Sequence, residues 1–161
     1  MVSASSPSAL TGRTDGAIGY VEYAYALQNR MTSTQLKNHD GAYVSPESKA
    51  FQAAAANADW SKAPGFYLLL TDQSGKESWP ITGATFILMR KNQEHPERAA
   101  EVLKFFSWAY HNGGQMAEQL DYVPMPSNVI SMVEDSWKQI VGIDGKPVWS
   151  GTAQSGSSAK K

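Results

Sequence analysis

The sequence has no cysteine, which removes disulfides, thiolate metal ligands and cysteine nucleophiles together and leaves stability to packing. Nor does any apolar run approach the roughly 18 residues that a transmembrane helix needs. The longest, Thr85-Phe86-Ile87-Leu88-Met89, stops at Arg90, so no membrane insertion is expected. Charge of one sign is not in excess: 14 Lys and Arg stand against 15 Asp and Glu, without the basic stripe that a polyanion requires. Nucleic acid is therefore not an expected partner. Residues 1–10 carry neither a basic n-region nor an apolar h-region and do not read as a secretory signal; the signal of an exported parent would lie elsewhere. Catalytic signatures are missing as well. No Ser sits in a Gly-x-Ser-x-Gly elbow and no Gly-rich loop ends in Lys-Ser or Lys-Thr, so neither a hydrolase nor a nucleotidase has support. The expectation is a protein without catalytic residues, metal or cofactor.

What the sequence does contain is core material. Five Trp, seven Tyr and five Phe in 161 residues are enough for one domain with a substantial interior. Residues 1–14 and 150–161, rich in small and polar side chains, read as flexible tails. Between them, Ile18 to Tyr23 reads as a short buried strand and Glu22 to Arg30 as a short helix. Leu36 and Tyr43-Val44 read as edges of a small hairpin turned by Asp40-Gly41. Ser45-Pro46-Glu47-Ser48 supplies a cap, a first-turn Pro and an early acid for an Ala-rich helix ending near Ala56. Ala84 to Met89 is apolar almost throughout and predicts a strand covered on both faces, as in a parallel sheet flanked by helices. Pro96 opens the clearest helix, with Ala99, Val102, Leu103, Phe106 and Tyr110 at three- and four-residue steps and Gly113-Gly114 closing it. A short helix over Gln115 to Leu120, an extended connector over Tyr122 to Pro126, and a helix from Ser127 to about Gly142 with Val129, Val133, Trp137 and Ile140 on one face complete the reading.

Several of these blocks occur together, in order, in a known family. Gly16-Ala17-Ile18-Gly19-Tyr20-Val21-Glu22-Tyr23-Ala24-Tyr25-Ala26, Ala58-Asp59-Trp60-Ser61, Ser78-Trp79-Pro80-Ile81-Thr82, Thr85-Phe86-Ile87-Leu88, Val102 to Tyr110, Leu120-Asp121-Tyr122 and Gly145-Lys146-Pro147 resemble the C-terminal half of the PstS-like periplasmic phosphate-binding proteins, the solute receptors of phosphate ABC transporters. The resemblance implies an α/β, type II periplasmic-binding-protein-like fold, a mixed sheet flanked by helices in each of two lobes that close on ligand by a hinge. Residues of about 15–75 would belong to the second lobe and about 76–149 would return to the first, leaving both lobes incomplete. It also implies inorganic phosphate as ligand, transporter membrane subunits as partners, and a periplasmic location.

In that family, dehydrated phosphate is held by backbone N–H groups at helix N-termini, by Ser and Thr hydroxyls, one Arg and one Asp. Those ligands come from Gly-rich turns in the N-terminal half and from an Arg-x-x-x-Ser-Gly-Thr element before the Gly-Ala-Ile-Gly-Tyr strand. Neither precedes Asp15, so no phosphate-binding residue is carried over. Ser150-Gly151-Thr152 repeats the tripeptide, but Lys146 stands where the Arg would be and no amphipathic helix follows, so a linker is the reading preferred. His39, His95 and His111 lack metal-ligand spacing and are read as solvent-facing, His95 as a helix-entry residue. Tyr20, Tyr23, Tyr25 and Trp79 could line a cleft or serve the core, and packing is preferred. Asp15 and Glu22 fit either a hinge or lobe contact or plain exposed carboxylates. Two functions follow: a solute-binding component for phosphate import, or a truncated or split piece that binds nothing alone and acts by packing onto a complementary N-terminal half or onto itself. The second expects apolar faces such as Ala84 to Met89 to lie uncovered.

Overall fold

A computed structural model describes residues 10–151; the expected tails fall largely on residues 1–9 and 152–161, outside the described residues. The elements in chain order are α1 (Tyr23–Gln28), β1 (Leu36–Lys37), β2 (Tyr43–Val44), α2 (Ser48–Asn57), β3 (Asn92–Gln93), α3 (Pro96–Asn112), α4 (Gly114–Gln119), α5 (Ser127–Ser136) and β4 (Val141–Gly142). Short 3-10 turns at Trp60–Lys62, Pro64–Phe66 and Trp137–Gln139 join them. The chain is α/β in content, with helices dominant.

The hairpin forms as the Asp40-Gly41 signal predicts. Leu36 pairs with Val44 and Lys37 with Tyr43 in antiparallel register, and Gly41 takes the positive φ of 82° that favours a residue without a Cβ. Helix α2 starts later than its cap signal suggests. Glu47, extended and without a side-chain cap bond, precedes it, because Ser45 and Pro46 are spent in a turn closed by the Glu47 N–H on the Ser45 carbonyl. Its Ala50, Ala54 and Ala55 are buried, and side chains this small let α5 pack closely against it. Helix α3 keeps its predicted limits, Pro96 in its first turn and Gly113 at its end. The final helix is shorter than its periodicity suggests: it tightens to 3-10 at Trp137 and gives way to β4, which pairs in parallel with β3.

The core lies in two clusters. The first gathers Ala55, Ala58, Trp60, Leu70 and Val129, with Phe66, Leu68 and Ala84 against it. The second gathers Leu103, Trp137, Ile140 and Trp149, with Met89, Phe106 and Tyr110 against it. Val133 touches both, so α5 is the element that joins them.

The predicted mixed sheet is not formed; the described residues contain two two-stranded sheets. Ile18 to Val21 and Gly83 to Met89 run without secondary structure and make no backbone hydrogen bond among the described residues. The strand over Ile18 to Tyr23 and the doubly covered strand over Ala84 to Met89 are thus corrected: Ile18 is 94% exposed and Leu88 93%. The reason is physical. A strand is completed by its neighbours' N–H and C=O groups, and among the described residues no segment pairs with either stretch.

A buried polar knot anchors the loop over residues 71–82. Asn38, on the hairpin, donates from Nδ2 toward the carbonyls of Gly75, Lys76 and Ser78 at 3.1, 2.9 and 3.2 Å. Its Oδ1 accepts the Ala42 N–H at 3.0 Å. Ser78, fully buried, donates to the Ser74 carbonyl at 2.7 Å and accepts from Asn57 at the end of α2. Gly75 sits inside this knot at φ 108°, where an added Cβ would lie 2.2 Å from Asn57 Nδ2 and 2.8 Å from Ser78 Oγ. Gly75→Ala should therefore lose the Asn57–Ser78 bond as well as take on backbone strain, a cost of roughly 2–3 kcal/mol. Urea denaturation followed by tryptophan fluorescence measures it, and an unchanged midpoint would remove the close approach as a constraint.

Candidate functional site

The residues singled out in the sequence do not converge. His39 Nδ1 lies 3.3 Å from Asp72 Oδ2, His95 Nδ1 lies 3.6 Å from Glu97 Oε1, and His111 Nε2 lies 3.2 Å from Glu134 Oε1. Each histidine meets a carboxylate on a different part of the surface. Among the described residues no group of three His, Cys, Asp or Glu is placed to hold a metal ion. Asp15 and Glu22 are exposed, and Glu22 stands before α1 without a capping bond. Of the Ser150-Gly151-Thr152 tripeptide, Ser150 and Gly151 are exposed and Thr152 lies outside the described residues.

The aromatic residues divide. Tyr23 packs edge-on to Phe51 with ring centroids 4.9 Å apart, and Phe51 in turn meets Trp79 at 6.2 Å. Trp79 is buried, and its backbone N–H donates to the Ala50 carbonyl at 3.0 Å. These two rings serve packing. Tyr20 is 83% exposed on the unpaired stretch before α1, and Tyr25 is half-buried.

Two shallow depressions stand out among the described residues. One, of about 310 Å³, is lined by Met89, Arg90, His95, Arg98 and Val102 at the start of α3. It is not a cradle for a dehydrated anion. Buried N–H donors are what such an anion needs, but here the Arg98 and Ala99 N–H groups are both given to the His95 carbonyl. Arg90, moreover, faces Glu94 at 3.7 Å. The other, about 190 Å³, is lined by Tyr23, Leu27, Ser48, Glu118, Asp121 and Tyr122. Burial first, then the carboxylates of Asp121 and Glu47, push the Tyr23 phenol above its ordinary value. That depression repels anions rather than collecting them.

A polar link that no sequence motif announces joins α3 to α5. Ser107, 2% exposed, donates to Glu134 Oε1 at 2.7 Å, and His111 shares the same carboxylate. Because Ser107 and Glu134 are 27 positions apart, only the packing of the two helices reveals the pair. Next to it, Tyr110 has its phenol raised above 10.0 by burial and secondarily by Glu134. A phenol raised in the folded state favours its neutral form there, so its contribution is whole below pH 10 and is lost as pH climbs through the raised value. The expected result is an alkaline fall in Tm that is smaller in Tyr110→Phe, measured by calorimetry across pH 8–12. Equal falls in both proteins would dismiss Tyr110 as the source.

What remains as the dominant surface feature is bare, apolar and extended. Phe66, Leu68 and Leu70 point to the first cluster while Tyr67 and Leu69, 86% and 73% exposed, point away. On α3, Leu103 is fully buried whereas Val102, Phe105 and Trp108 form an outer stripe at 41%, 60% and 49% exposure. Exposed apolar surface of this kind is shared by protein and membrane contact sites, ligand grooves and aggregation-prone chains.

No family model matches the chain. Curated relatives do. It is 46% identical over 134 residues to the phosphate-binding protein PstS of Pasteurella multocida, 46% identical over 122 residues to that of Haemophilus influenzae, and 48% identical over 122 residues to that of Xylella fastidiosa. These matches cover 83%, 76% and 76% of this chain but only 39%, 36% and 34% of the respective relatives. The chain thus spans little more than a third of the length of the proteins it matches.

Proposed function

Since the chain belongs to the family of PstS phosphate-binding proteins, we propose that the receptor built with it captures inorganic phosphate for an ABC-type import system, as a periplasmic solute-binding component without catalysis. The observation that carries this is the 46–48% identity held over three quarters or more of the chain. The receptor adopts a two-lobed, type II architecture, with residues of about 15–75 serving one lobe and about 76–149 the other. In the chain alone the first cluster draws on both stretches. Phosphate is the ligand and transporter membrane subunits are the partners of the whole receptor.

By itself, this chain supplies no phosphate ligand and binds none; it acts by packing with the complementary part of the receptor. The lining of the two depressions described above, neither of which offers free N–H donors to an anion, supports this part of the reading, and the bare apolar stretches support the need for a partner. Calorimetric titration separates the two statements. The isolated chain should give no saturable heat with phosphate, and micromolar affinity with sulfate excluded would show a site rebuilt within it. A chimera of the P. multocida protein, with its aligned stretch replaced by this chain, should bind phosphate. A folded chimera that does not would overturn the phosphate reading.

A further inference from the structure

Of the six asparagines in the chain, Asn112 alone is followed by glycine. That pair closes α3: Asn112 is its last residue and exposed, and Gly113 follows as its cap. Two hydrogen bonds hold the place, from Asn112 Nδ2 to the Trp108 carbonyl at 3.0 Å and from the Gly113 N–H to the Ala109 carbonyl at 2.8 Å. The Gly113 carbonyl in turn accepts the Ala117 N–H at 2.9 Å and starts α4, which has no side-chain cap bond. The junction is therefore held by backbone groups and one exposed amide, in the kind of terminal turn that opens at little cost. We propose that Asn112–Gly113 is a site of spontaneous covalent modification: whenever the last turn of α3 opens, the Gly113 nitrogen displaces ammonia from Asn112 Cγ, and position 112 becomes aspartyl and isoaspartyl. This holds for the chain whatever ligand its receptor takes.

The step balances with water as its co-reactant. The backbone nitrogen of Gly113 gives up its proton and bonds to Asn112 Cγ, the Cγ–Nδ2 bond breaks, and Nδ2 leaves as ammonia. A cyclic imide remains. Water opens it at either carbonyl carbon, giving the aspartyl chain or, with the backbone rerouted through Cγ, the isoaspartyl one. Glycine favours closure because the attacking residue has no Cβ to obstruct the ring and turns freely. The fold sets the rate: closure takes Asn112 out of its helical backbone angle, so the bonds to Trp108 and Ala109 must both break first. The glycine is itself held by close approach, since a Cβ on it would lie 2.5 Å from the Ala109 carbonyl oxygen. The product carboxylate then stands at the negative end of the dipole of a 17-residue helix, and the isoaspartyl form also lengthens the backbone between α3 and α4.

Incubation of the full chain at neutral pH, followed by peptide mapping in the mass spectrometer and labelling with an isoaspartyl-specific methyltransferase, tests the proposal. Exchange of the side-chain amide for a carboxyl should accumulate at Asn112 at least about tenfold faster than at any other asparagine, with isoaspartyl label on the same peptide. Both readouts are needed, because Asp15-Gly16, Asp40-Gly41 and Asp144-Gly145 take the label without a change of mass. Fully unfolded in urea, the chain should react at Asn112 about ten- to a hundredfold faster, whereas urea below the transition should change the rate little, as local fraying requires. Asn112→Gln should abolish the label on this peptide. Asn112→Asp, which carries the product's charge from the start, should lower Tm by about 1–4 °C. An Asn112 that stays intact in the folded chain overturns the site, as does a label that survives on this peptide in Asn112→Gln. Equal rates in folded and unfolded chains, or a steep rise in dilute urea, overturn the gating by the last turn of α3.

Discussion

Asn38→Asp should lower stability by roughly 3 kcal/mol or more, a loss of about 10 °C in Tm for a chain of this size. The substitution keeps size and shape and exchanges only a donor for an acceptor. Asn38 is 6% exposed, and its Nδ2 faces three carbonyl oxygens within 3.2 Å. An amide has two hydrogens, so two of these bonds are well made at any moment, and the introduced carboxylate makes neither. It also places negative charge beside three carbonyl dipoles in a site without water-like screening. Protonation restores one donor. The folded state therefore raises the pKa of the introduced carboxyl, and the penalty should shrink as pH falls through that raised value and be largest above it. Urea denaturation at pH 4 and pH 7 measures both statements. A change below about 0.5 kcal/mol at pH 7, the size expected of surface substitutions, would mean that the knot is not what holds the loop over residues 71–82 to the hairpin.

Trp137→Ala is the second large effect, at roughly 3–5 kcal/mol. Trp137 stacks on Tyr110 with centroids 6.2 Å apart and meets Trp149 edge-on at 5.1 Å. Its ring is thus the common contact between α3, the end of α5 and the last buried segment. Truncation leaves a cavity bounded by Leu103, Ile140 and Trp149, whose collapse is opposed by the Ser107–Glu134 link on the neighbouring turn. The loss should be local as well as large. Exchange at Val148, whose N–H donates to the Ile140 carbonyl at 2.9 Å, should accelerate strongly, while the Asn38 knot keeps its protection. Equal acceleration at both places would show instead that the two clusters unfold as one unit.

Helix α3 shows what a sequence conveys well. Pro96 in its first turn, apolar residues at helical spacing and Gly113 after the last turn are all local signals, and the observed helix follows them. The hairpin is of the same kind, because Asp40-Gly41 determines the turn and the turn determines the register. The family was legible for a different reason: its blocks recur in order along the chain. By contrast, nothing local in the sequence distinguishes Asn38 from other polar residues near a turn. Its partners lie 37, 38 and 40 positions away, and no local pattern encodes separations of that kind. Glu134, Ser107 and His111 were hidden in the same way.

The stretch over Ala84 to Met89 marks the boundary most clearly. Its composition by itself determined an extended, strongly apolar segment, since branched and aromatic side chains favour that backbone whatever surrounds it. Whether the segment is a strand was left to tertiary structure, because a strand is defined by hydrogen bonds to other segments, and among the described residues none pairs with it. Local preference is a property of the residues themselves; pairing, burial and a binding site are properties of what the rest of the polypeptide places next to them.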